Sequence, residues 1–429
     1  MTWPLVALEK VADVVGGSTP SRGEPRYWGP GHFWVTPTDL PMPGNGILDL
    51  ERTEETITDE GLGSISANVL PVGAVLYSTR ATIGKLAIAN VPVVTNQGFN
   101  NLIAGPEIYN RYLAYALQFF TPDISRLAGS TTFKEVSRSS LRGFKIPVPP
   151  VKEQRRIVDL LVQADALRRL RREADAKAAR ILPALFLKMF GDPATNPMEW
   201  DAKPLGDLLE DAEVFTDGDW VESKDQDPDG DVRLVQLADV GDGRYVNKSA
   251  RFLTRETALR LRCTFLKSGD ILLARMPDPL GRACIFPGDA KECVTVVDVC
   301  VIRPHAGGPD PIWLMHCINS AGFRGLIAQQ QTGTTRARIS RGNLSRLPII
   351  SPPIALQREF SRLAQQAGQA LEISSRAENV ELVFSALLQK AFNGELTARW
   401  RQAHMQELLR EMQGQAKALS LPMPKEIVA

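Results

Sequence analysis

Histidine is nearly absent, with four in 429 residues, which leaves little for an imidazole acid–base pair or a histidine-built metal centre. Cysteine is scarce too. The five cysteines all lie beyond position 262 and form no C-x-x-C. An odd count without paired spacing argues against a disulfide framework and fits reduced thiols in a cytosol. Cys300, His305, His316 and Cys317 lie near one another in sequence but match no zinc spacing, and read as buried small apolar positions. Long hydrophobic runs are missing. The ten residues from Ile181 to Phe190, interrupted by Lys188, fall short of the roughly 20 that a bilayer span needs. The opening MTWPLVALEK has no basic n-region and meets Glu9 early, so no signal peptide is expected and the cytoplasm is the expected location. There is no G-x-x-x-x-G-K-[ST] loop, no N-P-P-Y-like tetrapeptide and no glycine-rich methionine-cofactor loop, so neither an ATP site nor an adenine methyltransferase is expected in this chain. Glu222-Ser-Lys224 has the E-x-K form of a nuclease pair, but no Pro-Asp pair precedes it at a sensible distance, and an acidic loop explains it better.

An excess of charge is also missing, with a net of +1, but that neutrality hides segregation. Residues 201–231 carry 12 acidic and 2 basic side chains; residues 232–350 carry 17 basic and 9 acidic, a net of +8; residues 151–190 carry 10 basic and 5 acidic, a net of +5. A polyanionic partner is therefore compatible with the balance, and so is ordinary solvated surface.

What is present is a repeat. Leu141 to Pro150 (LRGFKIPVPP) is echoed by Leu344 to Pro353 (LSRLPIISPP) at an offset of 203, with Ser137-Arg138 matching Ser340-Arg341 and Gln154-Arg155 matching Gln357-Arg358. Ala184 to Phe190 (ALFLKMF) resembles Ala386 to Phe392 (ALLQKAF), Trp3 and Leu8 match Trp200 and Leu205, and Gly73-Ala-Val-Leu matches Gly269-Asp-Ile-Leu. Four matches in one order give each half the same plan: a mixed α and β globular portion, a double proline, then a long helical segment. Strands are expected at Gly73 to Tyr77, Leu86 to Ala89, Asp270 to Leu273 and Val294 to Ile302, helices at Tyr109 to Phe120 and Asp310 to Ala328, and an acidic loop at 216–231.

In the first helical segment Ile157, Leu160, Ala164, Leu167, Arg171, Ala174, Ala178, Ile181 and Leu185 step by 3 and 4, a heptad seam with one polar break. Pro183 should kink it or mark a second helix. The second segment keeps Phe360, Leu363, Ala367, Ala370, Ser374 and Ala377. Two such rods joined by short connections favour an antiparallel coiled coil; the alternative is that each packs on its own globular portion. An antiparallel pair would relate the two modules by a pseudo-twofold, which suits two half-sites of duplex DNA at a fixed spacing.

Several residues carry suitable chemistry. Ser18, Thr19 and Arg22 lie in Gly16-Gly-Ser-Thr-Pro-Ser-Arg22, followed by Tyr27, Trp28, Thr36 and Thr38; Thr79, Arg80 and Thr82 follow a strand. Hydroxyls and backbone N–H groups suit phosphates, arginine suits guanine edges or phosphates, and the amides Asn96 and Gln97 suit adenine. Each is also ordinary turn chemistry. Lys134, Arg138, Arg142 and Lys145 form a basic stretch whose counterpart is Arg336, Arg338, Arg341 and Arg346; Thr131-Thr132 precede the first and Thr334-Thr335 the second. Basic stretches at matching repeat positions favour phosphate contact, and Arg275 ends the matching strand of the second half.

The chain resembles the specificity subunits of type I restriction–modification systems. The resemblance rests on GGSTPSRGEPRYWGPGHFWVTPTDL (16–40), LPVGAVLYSTRATIGKLAI (70–88), TNQGFN (95–100), IPVPPVKEQRRIVDLL (146–161), SGDILLAR (268–275), LPIISPPIALQREF (347–360) and AFNGELTARW (391–400). It implies an α+β chain with two tandem target-recognition domains, at 1–150 and 200–352, and spacer helices at 151–199 and 353–397 that form an antiparallel coiled coil, followed by a helical tail at 398–429. It also implies that the domains read the two parts of a bipartite, asymmetric double-stranded DNA site. The helices would dock two methyltransferase subunits, which bind S-adenosylmethionine and methylate adenine, and a restriction subunit using ATP and magnesium would join. The chain itself would hold no active site and no cofactor, and would meet no membrane. The second half departs from the pattern: Val297-Asp298-Val-Cys300 stands against Thr95-Asn-Gln-Gly-Phe99, and an acidic run opens it. Two other readings remain: the specificity subunit of a related enzyme that cuts beside its site, and a coiled-coil scaffold for proteins, against which the paired basic stretches speak.

Overall fold

The computed structural model describes residues 3–129, 134–277, 279–333, 337–376 and 380–422. Its main helices are α1 (Asn110–Arg126), α2 (Val151–Ala178), α3 (Ile181–Phe190), α4 (Pro311–Asn319), α5 (Ile354–Arg376), α6 (Val380–Phe392) and α7 (Met405–Ala418). The chain divides into two compact units, Met1–Arg172 with Glu378–Ala429, and Glu173–Ala377.

In the first unit a five-stranded sheet runs in the order Ala12–Gly16, Asn100–Ala104, Val75–Tyr77, Leu86–Ala89, Leu48–Leu50, and a three-stranded sheet in the order Glu55–Ile57, Trp28–Val35, Val93–Thr95. Val75–Tyr77, Leu86–Ala89 and Val93–Thr95 are buried at every residue, which is why they read as continuous apolar runs without alternation. Leu5–Ala7 pairs with Lys145–Pro147, returning the chain to its start before α2 begins. Helix α1 runs six residues past its expected end, through Pro122.

The second unit repeats this plan. Its four-stranded sheet has the order Val214–Asp217, Val299–Arg303, Ile271–Ala274, Ala283–Ile285, and its three-stranded sheet Phe252–Leu253, Val232–Val235, Glu292–Thr295. The parallel pair Val232–Val235 with Glu292–Thr295 matches the parallel pair of Phe33–Val35 with Val93–Thr95. Ala202–Pro204 pairs with Pro348–Ile350 as Leu5–Ala7 pairs with Lys145–Pro147. Short helices Arg138–Gly143 and Arg341–Arg346 are capped by the Ser137 and Ser340 hydroxyls. Three expectations are corrected. The run from Val294 to Ile302 is two strands, turning at 296–298 without glycine or proline. The stretch from Asp310 to Ala328 is two helices, α4 and Ala321–Gln329, because Ser320 leaves the helical conformation and caps the second. The acidic segment begins as a strand, Val214–Asp217, paired with Val299–Arg303.

Helix α2 ends at Ala178, and α3 starts at Ile181 with Pro183 in its first turn, where a missing N–H costs nothing. The heptad seam is turned from its expected frame. Ile157, Val158 and Leu161 are buried in the first core, Leu160 and Ala164 are half-buried, and Leu167 is 63% exposed. Arg168 takes the inward position at 4% exposure. Ile181 is exposed and Leu185 packs on the edge of the second core; Phe360 is buried there, with Leu363 and Ala367 half-buried. The tail is built into the first unit. Glu153, 1% exposed, accepts from Trp3 Nε1 at 3.1 Å, Thr397 Oγ1 at 2.6 Å and Arg401 Nε at 2.7 Å, a charge paired and hydrogen-bonded as burial requires. Leu408 and Met412 of α7 are buried.

Candidate nucleic-acid interface

At one end of the first unit's sheets, five chain segments converge. Gly17 opens the first, where an added Cβ would meet the Asn96 and Thr95 carbonyls at 2.0 and 2.3 Å; only glycine lets these backbones approach so closely. Ser18 N–H then donates to Thr95 O at 2.8 Å, Trp34 Nε1 donates to Ser18 O at 3.3 Å, and Thr19 Oγ1 donates to Gln97 Oε1. Arg22 lies 3.9 Å from the Trp28 ring and 4.9 Å from the Trp34 ring, with its fork on Glu55 at 2.5 and 2.9 Å. The Glu55 carboxyl is held below the usual carboxylate range by its hydrogen bond from Arg22, against burial.

The second segment is Thr36 to Asp39, in which Thr36 donates to Asp39 at 2.8 Å and shares a 2.5 Å contact with Thr38; Lys85 Nζ caps Pro37 O at 2.5 Å. The third follows strand Val75–Tyr77. Thr79 N–H donates to Gly98 O, and Asn100 Nδ2 donates to Thr79 Oγ1 at 3.0 Å. The fourth is Thr95 to Gly98, where Asn96 Oδ1 accepts from Gly98 N–H at 2.8 Å. The fifth is Lys134 to Arg138: Lys134 O accepts from Ala81, Val136 N–H donates to Thr79 O, Arg80 meets Glu135 at 3.8 Å, and Arg138 lies over Gly16.

The structure thus brings together Ser18, Thr19, Arg22, Trp28, Thr36, Thr38, Arg80, Thr82, Asn96, Gln97, Lys134 and Arg138. Arg22, Thr38, Arg80, Gln97, Lys134 and Arg138 are exposed. Tyr27 is half-buried with Arg26 over its ring. Thr79 is a correction: at 1% exposure its hydroxyl is spent inside the unit. Thr131, Thr132, Thr334, Thr335 and Arg336 lie outside the described residues.

The second unit has the same loop end with different groups. Gly218 approaches the Val296 carbonyl as Gly17 approaches Asn96, and Asp219 N–H donates to Thr295 O as Ser18 N–H does to Thr95 O. Thr295-Val-Val-Asp298 is therefore the counterpart of Thr95-Asn-Gln-Gly98, two residues earlier than the sequence comparison placed it. Arg275 takes the position of Thr79: its N–H donates to Asp298 O, and its guanidinium donates to Val297 O at 2.6 Å and Ile339 O at 3.3 Å beside Asp217. At 3% exposure it braces the loops from within, which corrects its expected place on the binding surface. Arg341 donates to Phe215 O at 2.9 Å beside Asp217; Arg338 is exposed. Trp220, missed in the sequence, is 70% exposed at this end. Its signal was only an aromatic residue within an acidic loop. Burial pushes the neighbouring Asp219 carboxyl up to about 6, although Thr264 N–H and Cys263 hydrogen-bond to it.

Among the described residues no group of three or more His, Cys, Asp or Glu is arranged to hold a metal, and no helix is long and apolar enough to cross a membrane. All five cysteines are buried and free.

The family of type I restriction modification DNA specificity domains matches residues 1–177. The MjaIX type I specificity subunit of Methanocaldococcus jannaschii is 25% identical, over 92% of this chain and 93% of that one. The EcoR124I/EcoR124II specificity subunit of Escherichia coli is 30% identical over 37% of this chain and 40% of its own length. Two solved structures share the fold. One is a chain from work on complex assembly and conformational transition of the type I R-M system, with a TM-score of 0.56, 19% identity, and coverage of 92% of this chain and 98% of that one. The other is a type I S subunit from M. genitalium, with a TM-score of 0.50, 14% identity, and coverage of 91% and 96%. With a type I restriction modification DNA specificity domain matched over residues 1–177, a converging set of polar loops and a specificity subunit matched along most of its length, this chain is similar to the type I restriction–modification DNA specificity subunits.

Proposed function

We propose that the module at 1–150 reads one part of a bipartite, asymmetric duplex site and the module at 200–352 the other. In this reading the helical stretches 151–199 and 353–397 set the spacing as an antiparallel coiled coil of pseudo-twofold symmetry. They also dock two methyltransferase subunits that carry S-adenosylmethionine and methylate adenine, and through these a restriction subunit using ATP and magnesium. The chain supplies recognition in the cytoplasm and no catalytic group.

The observation that carries the reading is the meeting of five segments on one surface rich in Arg, Lys, Thr and side-chain amides, with the same backbone approach repeated in the second unit. Arg22, Arg80, Lys134 and Arg138 are assigned to phosphates or guanine edges, Thr19, Thr38 and Gln97 to base edges, and Arg338 and Arg341 to phosphates on the second part. Apolar side chains left exposed on α2 and α3, among them Val162, Leu167, Leu170, Ile181 and Leu187, support a protein partner along the helices.

The test is adenine-methylation mapping in a host lacking any other specificity gene, co-expressing this chain with its cognate methyltransferase, with this chain deleted as control. A bipartite methylated motif that vanishes on deletion is the expected result. Methylation unchanged by the deletion would overturn the reading and leave the scaffold role.

A further inference from the structure

We infer that two equivalent clefts, one in each unit at the end of the sheet away from the loop cluster, each seat an acidic–apolar segment of a methyltransferase subunit, so that the two clefts hold two copies of one partner. The inference rests on the proposed function above and names the docking site within it.

The clefts measure about 340 and 460 Å³. Strand Val75–Tyr77 starts at Gly73-Ala74 on the first cleft and ends at Thr79 in the loop cluster; strand Asn100–Ala104 starts on Thr79 and ends at the cleft. In the second unit Ile271–Ala274 starts at Ser268-Gly269 on its cleft and ends at Arg275. A partner seated in either cleft therefore leaves the loop cluster open to DNA.

Both clefts share a construction. Gly73 and Gly269 turn with φ of +89° and +96°, the left-handed region that favours glycine. The long helix that forms one wall is locked by a buried glutamine. Gln154 Nε2 donates to Pro149 O at 2.8 Å and its Oε1 accepts from Tyr109 N–H at 2.7 Å. Gln357 Nε2 donates to Pro352 O at 2.8 Å and its Oε1 accepts from Asp310 N–H at 2.9 Å. The next residue is thereby aimed at the cleft in both: Arg155, 4.6 Å from the Tyr109 ring, and Arg358. Both arginines are exposed, and neither has a salt bridge among the described residues, whereas Arg22, Arg80, Arg111 and Arg324 are each paired with a carboxylate. Ile103 and Ile108 wall the first cleft, Ile285 and Phe286 the second. A guanidinium fork beside an apolar wall fits a carboxylate flanked by an apolar side chain.

The pattern of divergence between the repeats points to one partner used twice. The DNA-facing ends differ, with Ser18 against Asp219 and Asn96-Gln97 against Val296-Val297. The cleft ends keep Gly73 and Gly269, and Gln154-Arg155 and Gln357-Arg358. Two different half-sites demand the first; two copies of the same subunit explain the second.

The test titrates the full chain with its purified cognate methyltransferase subunit and counts bound copies by sedimentation. Wild type should take two, Arg155→Glu one, Arg358→Glu one and the double variant none, with affinity at each altered site down by about tenfold or more. Val72→Asp, at a residue 61% exposed on the first cleft, should keep its thermal melt and also lose one copy, so a folding defect in the arginine variants does not decide the outcome. Two copies bound with unchanged affinity by the double variant, or by Val72→Asp, would overturn the cleft assignment. No copy bound by wild type would overturn the functional reading beneath it.

Discussion

Arg22 is fixed from two sides, its guanidinium 3.9 and 4.9 Å from the centres of the Trp28 and Trp34 rings and its fork on Glu55. A cation–π contact of this kind orders the guanidinium at a contribution of roughly 0.5–2 kcal/mol, while the ionised Glu55 competes for it with the phosphate or base edge that the proposed function assigns to Arg22. Glu55→Gln keeps the shape and removes the competing charge. It should tighten DNA binding at low salt and steepen the slope of log K against log[salt] by about 0.9, the increment of one phosphate contact; Arg22→Ala should weaken binding. Equal slopes in wild type and both variants would take Arg22 off the interface. Asp219 presents the opposite case. Its carboxyl is raised by burial from 3.8 to about 6, so its contribution to stability is fully present below the unfolded value and is lost as pH rises through 6. Asp219→Asn retains an acceptor for Thr264 N–H and removes the desolvated charge. It should raise stability at pH 8 by about 1 kcal/mol, reduced for partial exposure, with the gain shrinking toward pH 5. Thermal melts across that range measure it; a gain independent of pH would mean that charge is not the cause.

At the scale of elements, α2 is governed by Arg168. Its guanidinium donates to Asp165 at 2.8 Å, to Glu381 of α6 at 2.7 and 3.0 Å and to Gly44 O at 2.7 Å, and lies 4.0 Å from the Phe384 ring. Burial pushes the Glu381 carboxyl up, but the hydrogen bonds and charges of Arg168 and Arg172 outweigh it and hold the carboxyl below its usual range. That stabilisation is present above the ordinary carboxylate range and is lost as pH falls through the lowered folded value. Arg168→Met should cost about 1–3 kcal/mol at pH 7, because the half-exposed Glu381 regains water, and the loss relative to wild type should narrow near pH 4. Urea melts at the two pH values test this, and an equal loss at both would deny the ion pair its part. Arg168 also marks where the sequence stopped being legible. The frames 157, 160, 164, 167 and 157, 161, 164, 168 both step by 3 and 4, and local periodicity prefers Leu167 to Arg168. The choice goes to arginine because its partners arrive from positions 44 and 381, which no local pattern announces. The loop cluster was easier to foresee, since Gly16-Gly-Ser-Thr, Ser78-Thr-Arg and Thr95-Asn-Gln-Gly carry their turn chemistry in plain sight. The burial of Thr79 inside it, and of Arg275 at the second unit's loop end, was hidden, because each depends on carbonyls supplied by other loops of its own unit.

Across the whole molecule the sequence repeat and the packing unit are out of phase. The repeat in sequence reads module, long helix, short apolar helix. In the packing, α3 from the first half gives Phe186 and Phe190 to the core of Trp313 and Phe360, with ring centroids 5.5 to 6.1 Å apart. Helix α6 from the second half gives Phe384 and Phe392 to the core of Tyr112, Tyr115 and Phe119, at 5.1 to 6.5 Å. Each packing unit is therefore short helix, module, long helix, and the first is assembled from two separate stretches of chain. The matching heptapeptides ALFLKMF and ALLQKAF announce this only as similarity; which module each serves depends on burial of their phenylalanines, not on distance along the chain. A substitution in one half should then be felt in the module of the other. Phe384→Ala removes a buried ring and should cost about 3–5 kcal/mol. It should speed amide exchange in Val75–Tyr77, Leu86–Ala89 and α1, more than 250 residues earlier, and leave Ile271–Ala274 and Val299–Arg303 unchanged. Phe186→Ala should do the reverse, because its ring neighbours Phe190 and Phe360 belong to the second core. Exchange that speeds only in the half carrying each substitution would refute the out-of-phase assembly and return each short helix to the module that precedes it in sequence.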